Sequence, residues 1–149
     1  MFKTNFDKYA CDGDTITCTV DGFNCVATIH HDDDADSPDQ RQDGFWPSLD
    51  PKDAGYIGDG KTKAQLTAAK RRATIIMNAW KNDEWWYVGV CVTVSKNGIQ
   101  LTGNFDYALW GVECNYPKTG ANKYLRTVAN EELSQALDAA RATLAKLCN

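Results

Sequence analysis

The sequence lacks a long apolar run, and this absence bears first on the membrane. No segment of the 149 residues approaches the roughly 18 consecutive apolar residues that a membrane-spanning helix requires. The first twenty residues carry five charged side chains and no apolar run, so they do not have the pattern of a secretory signal. We therefore expect a soluble protein that stays in the cytoplasm and does not bind a membrane.

Closely paired cysteines are also missing, although the chain has six cysteines. None forms a C-x-x-C pair, which argues against a structural zinc site and against a disulfide framework. Most of them fall in runs of β-forming residues, where cysteine behaves as a small core hydrophobe: Cys18, Cys25, Cys91 and Cys114. The sequence therefore predicts free thiols in a reducing cytosol.

The common catalytic and phosphate-binding motifs are absent. The chain contains no G-x-S-x-G, no G-x-x-x-x-G-K and no G-x-G-x-x-G. The segment Gly58-Asp59-Gly60-Lys61-Thr62 could hold an anion at the start of a helix, but it lacks the upstream glycine and strand of a phosphate-binding loop. We interpret it as a turn with Thr62 as the helix cap. We expect no enzymatic activity, no catalytic residue and no cofactor.

Charge is unevenly divided along the chain. Residues 1–60 contain thirteen acids and four bases, residues 61–149 contain seven acids and twelve bases, and the net charge is −4. Such a chain can neutralise itself on folding, which is the simpler outcome, or present an acidic face to a basic partner. The short basic run Lys70-Arg71-Arg72 has no second basic cluster beside it in the sequence, so direct nucleic-acid binding is not expected.

Two β-hairpins are predicted from their turns. Asp21-Gly22 and Asn97-Gly98 each lie between runs of β-forming residues, and both dipeptides favour the positive φ angles of a two-residue turn. The hairpins are expected over residues 14–30 and 85–101.

The remaining regular elements complete the predicted fold. Residues 108–114 predict a fifth strand, and apolar spacings of three and four predict amphipathic helices over 63–81 and over most of 123–147. We expect an α+β, two-layer fold in the order β-β-α-β-β-β-α, with an antiparallel sheet of about five strands covered by two helices. The length fits a single domain, residues 1–149, interrupted by a long acidic loop at about 31–61.

The acidic loop is the first candidate for function. It opens with six aspartates in a short stretch: Asp32, Asp33, Asp34, Asp36, Asp39 and Asp43. The stretch is open to three interpretations, namely a solvated loop, a surface for a basic partner, or a calcium loop. The calcium pattern is imperfect because Ser37 stands where the sharp turn needs glycine.

His30 and His31 are the only histidines and directly precede these aspartates. Together they could serve a small metal-dependent enzyme or a metal-binding module, which is the alternative function. Adjacent residues on a strand point to opposite faces, so the two histidines do not easily share one metal. No metal site is therefore predicted.

The consecutive aromatics Trp85, Trp86 and Tyr87 form the second candidate surface. Burial in the core is the simpler interpretation, but an open sheet face would make these rings anchors for a protein partner. We therefore include all three among the predicted partner-binding residues, with the six aspartates.

Several segments together resemble a group of small proteins encoded by bacteriophages and integrated elements. They are D-G-F-N-C-V-A-T-I-H-H-D-D-D, D-E-W-W-Y-V-G-V-C-V-T-V-S, A-L-W-G-V-E and Y-L-R-T-V-A-N-E-E-L, and the resemblance covers most of the chain outside residues 45–80. Membership implies no known enzymatic activity. Small phage proteins without catalytic motifs are often inhibitors of host defence, as anti-CRISPR proteins are.

The resemblance and the charge together imply a partner. We expect a non-enzymatic inhibitor whose acidic loop binds the basic surface of a host protein or ribonucleoprotein, such as a CRISPR surveillance complex, in the host cytoplasm. A homodimer through the leucine stripe of the last helix or through the Trp-rich sheet is left open.

Overall fold

The computed structural model describes residues 1–149 and has an α+β fold. Five strands form one antiparallel sheet and three segments are helical, which confirms the predicted two-layer α+β class. In chain order the elements are β1 (Thr15–Val20), β2 (Phe23–His31), α1 (Pro38–Arg41), α2 (Lys63–Lys81), β3 (Trp86–Lys96), β4 (Ile99–Gln100), β5 (Ala108–Cys114) and α3 (Lys123–Leu147). No helix combines the length and the apolar character that crossing a membrane would take.

The chain divides into two compact units. Unit 1 consists of Met1–Asp32 and Trp86–Asn149, and unit 2 consists of Asp33–Trp85. Unit 1 contains all five strands together with α3, whereas unit 2 contains α1 and α2. The organisation as a single domain stays a prediction.

Both predicted hairpin turns form in unit 1. Asp21 and Gly22 join β1 to β2 with φ angles of 50° and 78°, and Asn97 and Gly98 join β3 to β4 with 52° and 79°. Positive φ at both central residues is the signature of a type I′ turn, whose twist matches that of the strands. Strand β3 is the centre of the sheet, because it pairs with β2 on one side and with β4 and β5 on the other.

One face of the sheet packs against α3 to form the main core. The even-numbered valines of β3, Val88 to Val94, are fully buried in this core. They meet the predicted apolar stripe of α3, whose buried members are Leu125, Val128, Ala129, Leu133, Ala136, Leu137 and Ala140. Alternation along the strand and a spacing of three and four along the helix place both sets on facing surfaces.

Unit 2 contains more regular structure than the long acidic loop and single helix predicted from the sequence. Residues 38–41 form the short helix α1, and Ser48 bridges to Tyr56. Helix α2 has the bounds expected from its periodicity. The Thr62 hydroxyl accepts a hydrogen bond from the Gln65 amide, and the Gln65 side chain accepts one from the Thr62 amide. This capping box confirms Thr62 as the helix cap.

Candidate functional site

Asp32, the first of the predicted partner-binding aspartates, is held inside the sheet of unit 1. Its amide donates to the Tyr87 carbonyl at 2.9 Å, and its carboxylate accepts from the Gly111 amide of β5 at 3.0 Å. A carboxylate that satisfies a strand amide contributes to the fold. Asp32 is therefore half-buried and has a role in the fold, and its assignment to the partner-binding surface stays a prediction.

The other five aspartates lie on the surface of unit 2. Asp33, Asp34, Asp36, Asp39 and Asp43 are all exposed, and we name them the Asp-rich surface. Within this surface Asp39 accepts a hydrogen bond from the Ser37 hydroxyl at 2.6 Å. That bond lowers the pKa of Asp39 below its ordinary value, because it stabilises the charged carboxylate.

Charge is segregated within unit 2. From Asp33 to Asp59 the chain carries eight carboxylates and two bases, whereas from Lys61 to Lys81 it carries six bases and no acid. The basic run Lys70, Arg71 and Arg72 is exposed on α2, and none of the three forms an ion pair. No direct ion pair therefore neutralises this run, and the choice between self-neutralisation and an acidic face for a partner stays open.

The two histidines contact different rings. His30 is half-buried and its ring centroid lies 5.3 Å from that of Phe105, whereas exposed His31 lies 6.2 Å from Trp86. No group of three or more histidine, cysteine or acidic side chains is gathered closely enough to hold a metal ion. The geometry therefore offers no assembled ligand set for the alternative, metal-dependent function.

The aromatic run at the start of β3 is mostly inaccessible. Trp85 is 1% exposed and Tyr87 is 7% exposed, so neither ring can anchor a partner in this structure. Trp86 is half-buried, and its ring meets that of Tyr9 edge-on at 6.0 Å. The burial of Trp85 and Tyr87 speaks against a contact surface made of all three rings, and the assignment of Trp86 stays a prediction.

Open aromatic surface occurs instead near β5. Trp110 and Phe105 are 43% and 56% exposed, and their ring centroids are 6.2 Å apart. The Trp110 ring lies directly over Gly89, in the space that a β-carbon there would fill. The pairing of β3 with β5 shifts register at this point. The sequence analysis did not identify this surface. Gly89 could have indicated it, since a glycine inside a strand marks a bulge or a close approach of another group.

No protein-family model, characterised protein or solved structure that was compared with this chain matches it.

Proposed function

We propose that this protein is a non-enzymatic, phage-encoded inhibitor of a host defence system, similar in action to anti-CRISPR proteins. Its Asp-rich surface binds a basic surface of a host protein or ribonucleoprotein complex that handles nucleic acid. The observation that carries the proposal is the exposure of five carboxylates between Asp33 and Asp43, a stretch in which Arg41 is the only base.

Local structure supports the proposal by fixing part of this surface. Pro38 is buried at the start of α1, where its ring suits the first helical turn. The Arg41 amide donates to the Ser37 carbonyl at 2.9 Å, and the Gln42 amide donates to the Pro38 carbonyl at 3.1 Å. A surface whose backbone is already ordered loses less conformational entropy on binding.

Electrostatics explains how such a surface would inhibit. Complexes that bind nucleic acid present grooves of lysine and arginine, and those side chains neutralise phosphates. Carboxylates meet the same cations and exclude the phosphates by occupancy. Rate and affinity of this association should fall as salt rises, because exposed charges are screened beyond a Debye length of about 10 Å at 0.1 M.

The test uses two matched double variants. Asp36→Asn with Asp43→Asn removes two charges from the Asp-rich surface, and Glu84→Gln with Glu131→Gln removes two exposed charges elsewhere. Both pairs change the net charge equally. We expect the first pair to weaken binding to a purified CRISPR surveillance complex by about tenfold at low salt, and the second pair to leave it within about twofold.

Salt dependence provides the second measurement. The difference in affinity between the parent and the Asp36/Asp43 variant should shrink at about 300 mM salt. Salt screens the electrostatic attraction that the two carboxylates add to the parent and that the variant lacks. Circular dichroism should show both variants folded. Equal binding by the parent and the Asp36/Asp43 variant at both salt concentrations would refute the role of the Asp-rich surface.

A further inference from the structure

We propose that unit 1 contains a second, independent binding site, which takes a small phosphorylated ligand with a planar ring, such as a mononucleotide. The site is a cavity of about 670 Å³ between residues 5–9 and residues 115–123. We name it the lysine cavity, after Lys8, Lys118 and Lys123 in its lining. It shares no residue with the Asp-rich surface.

Two asparagines build the frame of the lysine cavity. Asn122 is 5% exposed, and its side-chain nitrogen donates to the carbonyls of Asp7 and Lys8, each at 3.1 Å. Asn115 both donates to and accepts from the backbone of Ala10, at 2.9 and 2.8 Å.

The two asparagines also bind each other. The Asn115 amide donates to the Asn122 side-chain oxygen at 2.7 Å, and the Asn122 side-chain nitrogen donates to the Asn115 side-chain oxygen at 2.8 Å. Amide groups that hydrogen-bond to one another and to the backbone, at buried Asn122 and half-buried Asn115, fix their neighbours in one arrangement. The two walls of the cavity are therefore held together before any ligand arrives, which lowers the cost of binding.

The charges around the lysine cavity favour an anion. Three lysines line it against one acid, Asp7, in a protein whose net charge is −4. The 25-residue helix α3 begins beside it, and no side chain caps that end because Asn122 is used in the frame. The helix macrodipole adds about half a positive charge at this end.

The rings in the lining favour a ligand larger than a bare anion. Tyr9 and Tyr116 both line the cavity, and the Lys118 ammonium lies 5.6 Å from the centre of the Tyr116 ring. Burial, and secondarily the charge of Glu113, raises the pKa of Tyr116, so its phenol stays protonated at neutral pH. The volume falls within the range of small-ligand sites, about 300–1,000 Å³. A phosphate beside the lysines and a planar ring beside the tyrosines would use both features.

The experiment is calorimetry on the full chain with three probes: adenosine 5′-monophosphate, adenosine and inorganic phosphate. We expect the monophosphate to bind, and both adenosine and inorganic phosphate to bind at least about tenfold more weakly. Lys118→Gln with Lys123→Gln should weaken monophosphate binding by at least about tenfold, because two cations are lost. The control pair, Lys52→Gln with Lys146→Gln, removes two exposed lysines outside the cavity and should bind as the parent does.

A charge-preserving pair, Lys118→Arg with Lys123→Arg, should keep most of the affinity, which separates lost charge from lost structure. Chemical shifts of Tyr9, Tyr116 and Gly120 should move on titration with the monophosphate. Failure of the monophosphate to bind overturns the proposal. Equal affinity for adenosine overturns the role of the lysines, and equal affinity for inorganic phosphate overturns the role of the ring. None of these outcomes bears on the Asp-rich surface, which lies on other residues.

Discussion

Gly89, which has no side chain, leaves room for the Trp110 ring on the sheet beside β5. Gly89 lies in the middle of β3, and the Trp110 ring occupies the space above its α-carbon. The adjacent Gly111 has a φ of 73°, and its amide donates to Asp32. These contacts hold the Trp110 ring against β3, although the residue is 43% exposed.

Gly89→Ala tests this arrangement at the scale of one residue. The added methyl group would lie inside van der Waals contact with the Trp110 ring, so the ring has to move. We expect a loss of about 1–3 kcal/mol in the free energy of unfolding, measured with urea, together with a change in tryptophan fluorescence. Adding Trp110→Ala should return part of that loss, because the clash disappears. Additive effects of the two substitutions would contradict the contact.

A two-residue turn fixes how two strands pair. The energetic cost of a substitution in such a turn comes from the backbone conformation that the turn requires. An ideal β-carbon at Gly98 meets no atom within 4 Å, so the first side-chain atom added there creates no clash. Its φ of 79° is nevertheless a conformation that β-branched residues resist.

Gly98→Val should therefore destabilise the protein by about 1–2 kcal/mol through backbone strain alone. Ile99→Val, at the next and exposed position, is the matched control and should change stability by less than about 0.5 kcal/mol. Chemical denaturation of both variants measures the difference. If the two variants proved equally stable, the tight turn between β3 and β4 would be refuted.

Elements defined by neighbouring residues could be predicted from the sequence. Helix α2 and strand β5 have the predicted bounds, because periodicity, capping and turn signals all lie within a few residues of the element. The role of Asp32 could not be predicted in this way, since its partner Gly111 is 79 positions away. The frame of the lysine cavity joins Asn122 to Asp7 over 115 positions, and no local pattern encodes such a contact.

Across the whole molecule none of the six cysteines forms a disulfide in this structure, and their reduced state in solution stays a prediction. Cys25, Cys91 and Cys114 are buried, whereas Cys11 and Cys148 are exposed. Burial is the main cause that raises the thiol pKa to about 11 for Cys25 and Cys91 and to about 12 for Cys114, from 9.0. A thiol with a raised pKa in the folded state favours folding below pH 9, and this contribution is lost as pH rises toward 11 and 12.

We therefore expect the free energy of unfolding to fall between about pH 9 and pH 12. Cys91→Ala removes one of these titrations, so its pH slope should be smaller than that of the parent by up to about 1.4 kcal/mol per pH unit. Urea unfolding across this range measures both slopes, and tyrosine and lysine titrations cancel in the comparison. Identical slopes would show that the thiol pKa of Cys91 is the same in the folded and unfolded states. At pH 8, thiol reagents should label Cys11 and Cys148 first and all six residues only in denaturant.

The pairing of β2 with β3 has a consequence for the order of folding. The pairs β1–β2 and β3–β4 are each joined by a two-residue turn and can form locally, but residues 32–85 separate β2 from β3. Closing a loop of about 50 residues costs about 3 kcal/mol more free energy than closing a two-residue turn, because more chain entropy is lost. The central pair of the sheet should therefore form late, and until then the apolar strand β3 has an unpaired edge. Refolding at high protein concentration then becomes a competition between β2 and another chain's β3 for the same edge.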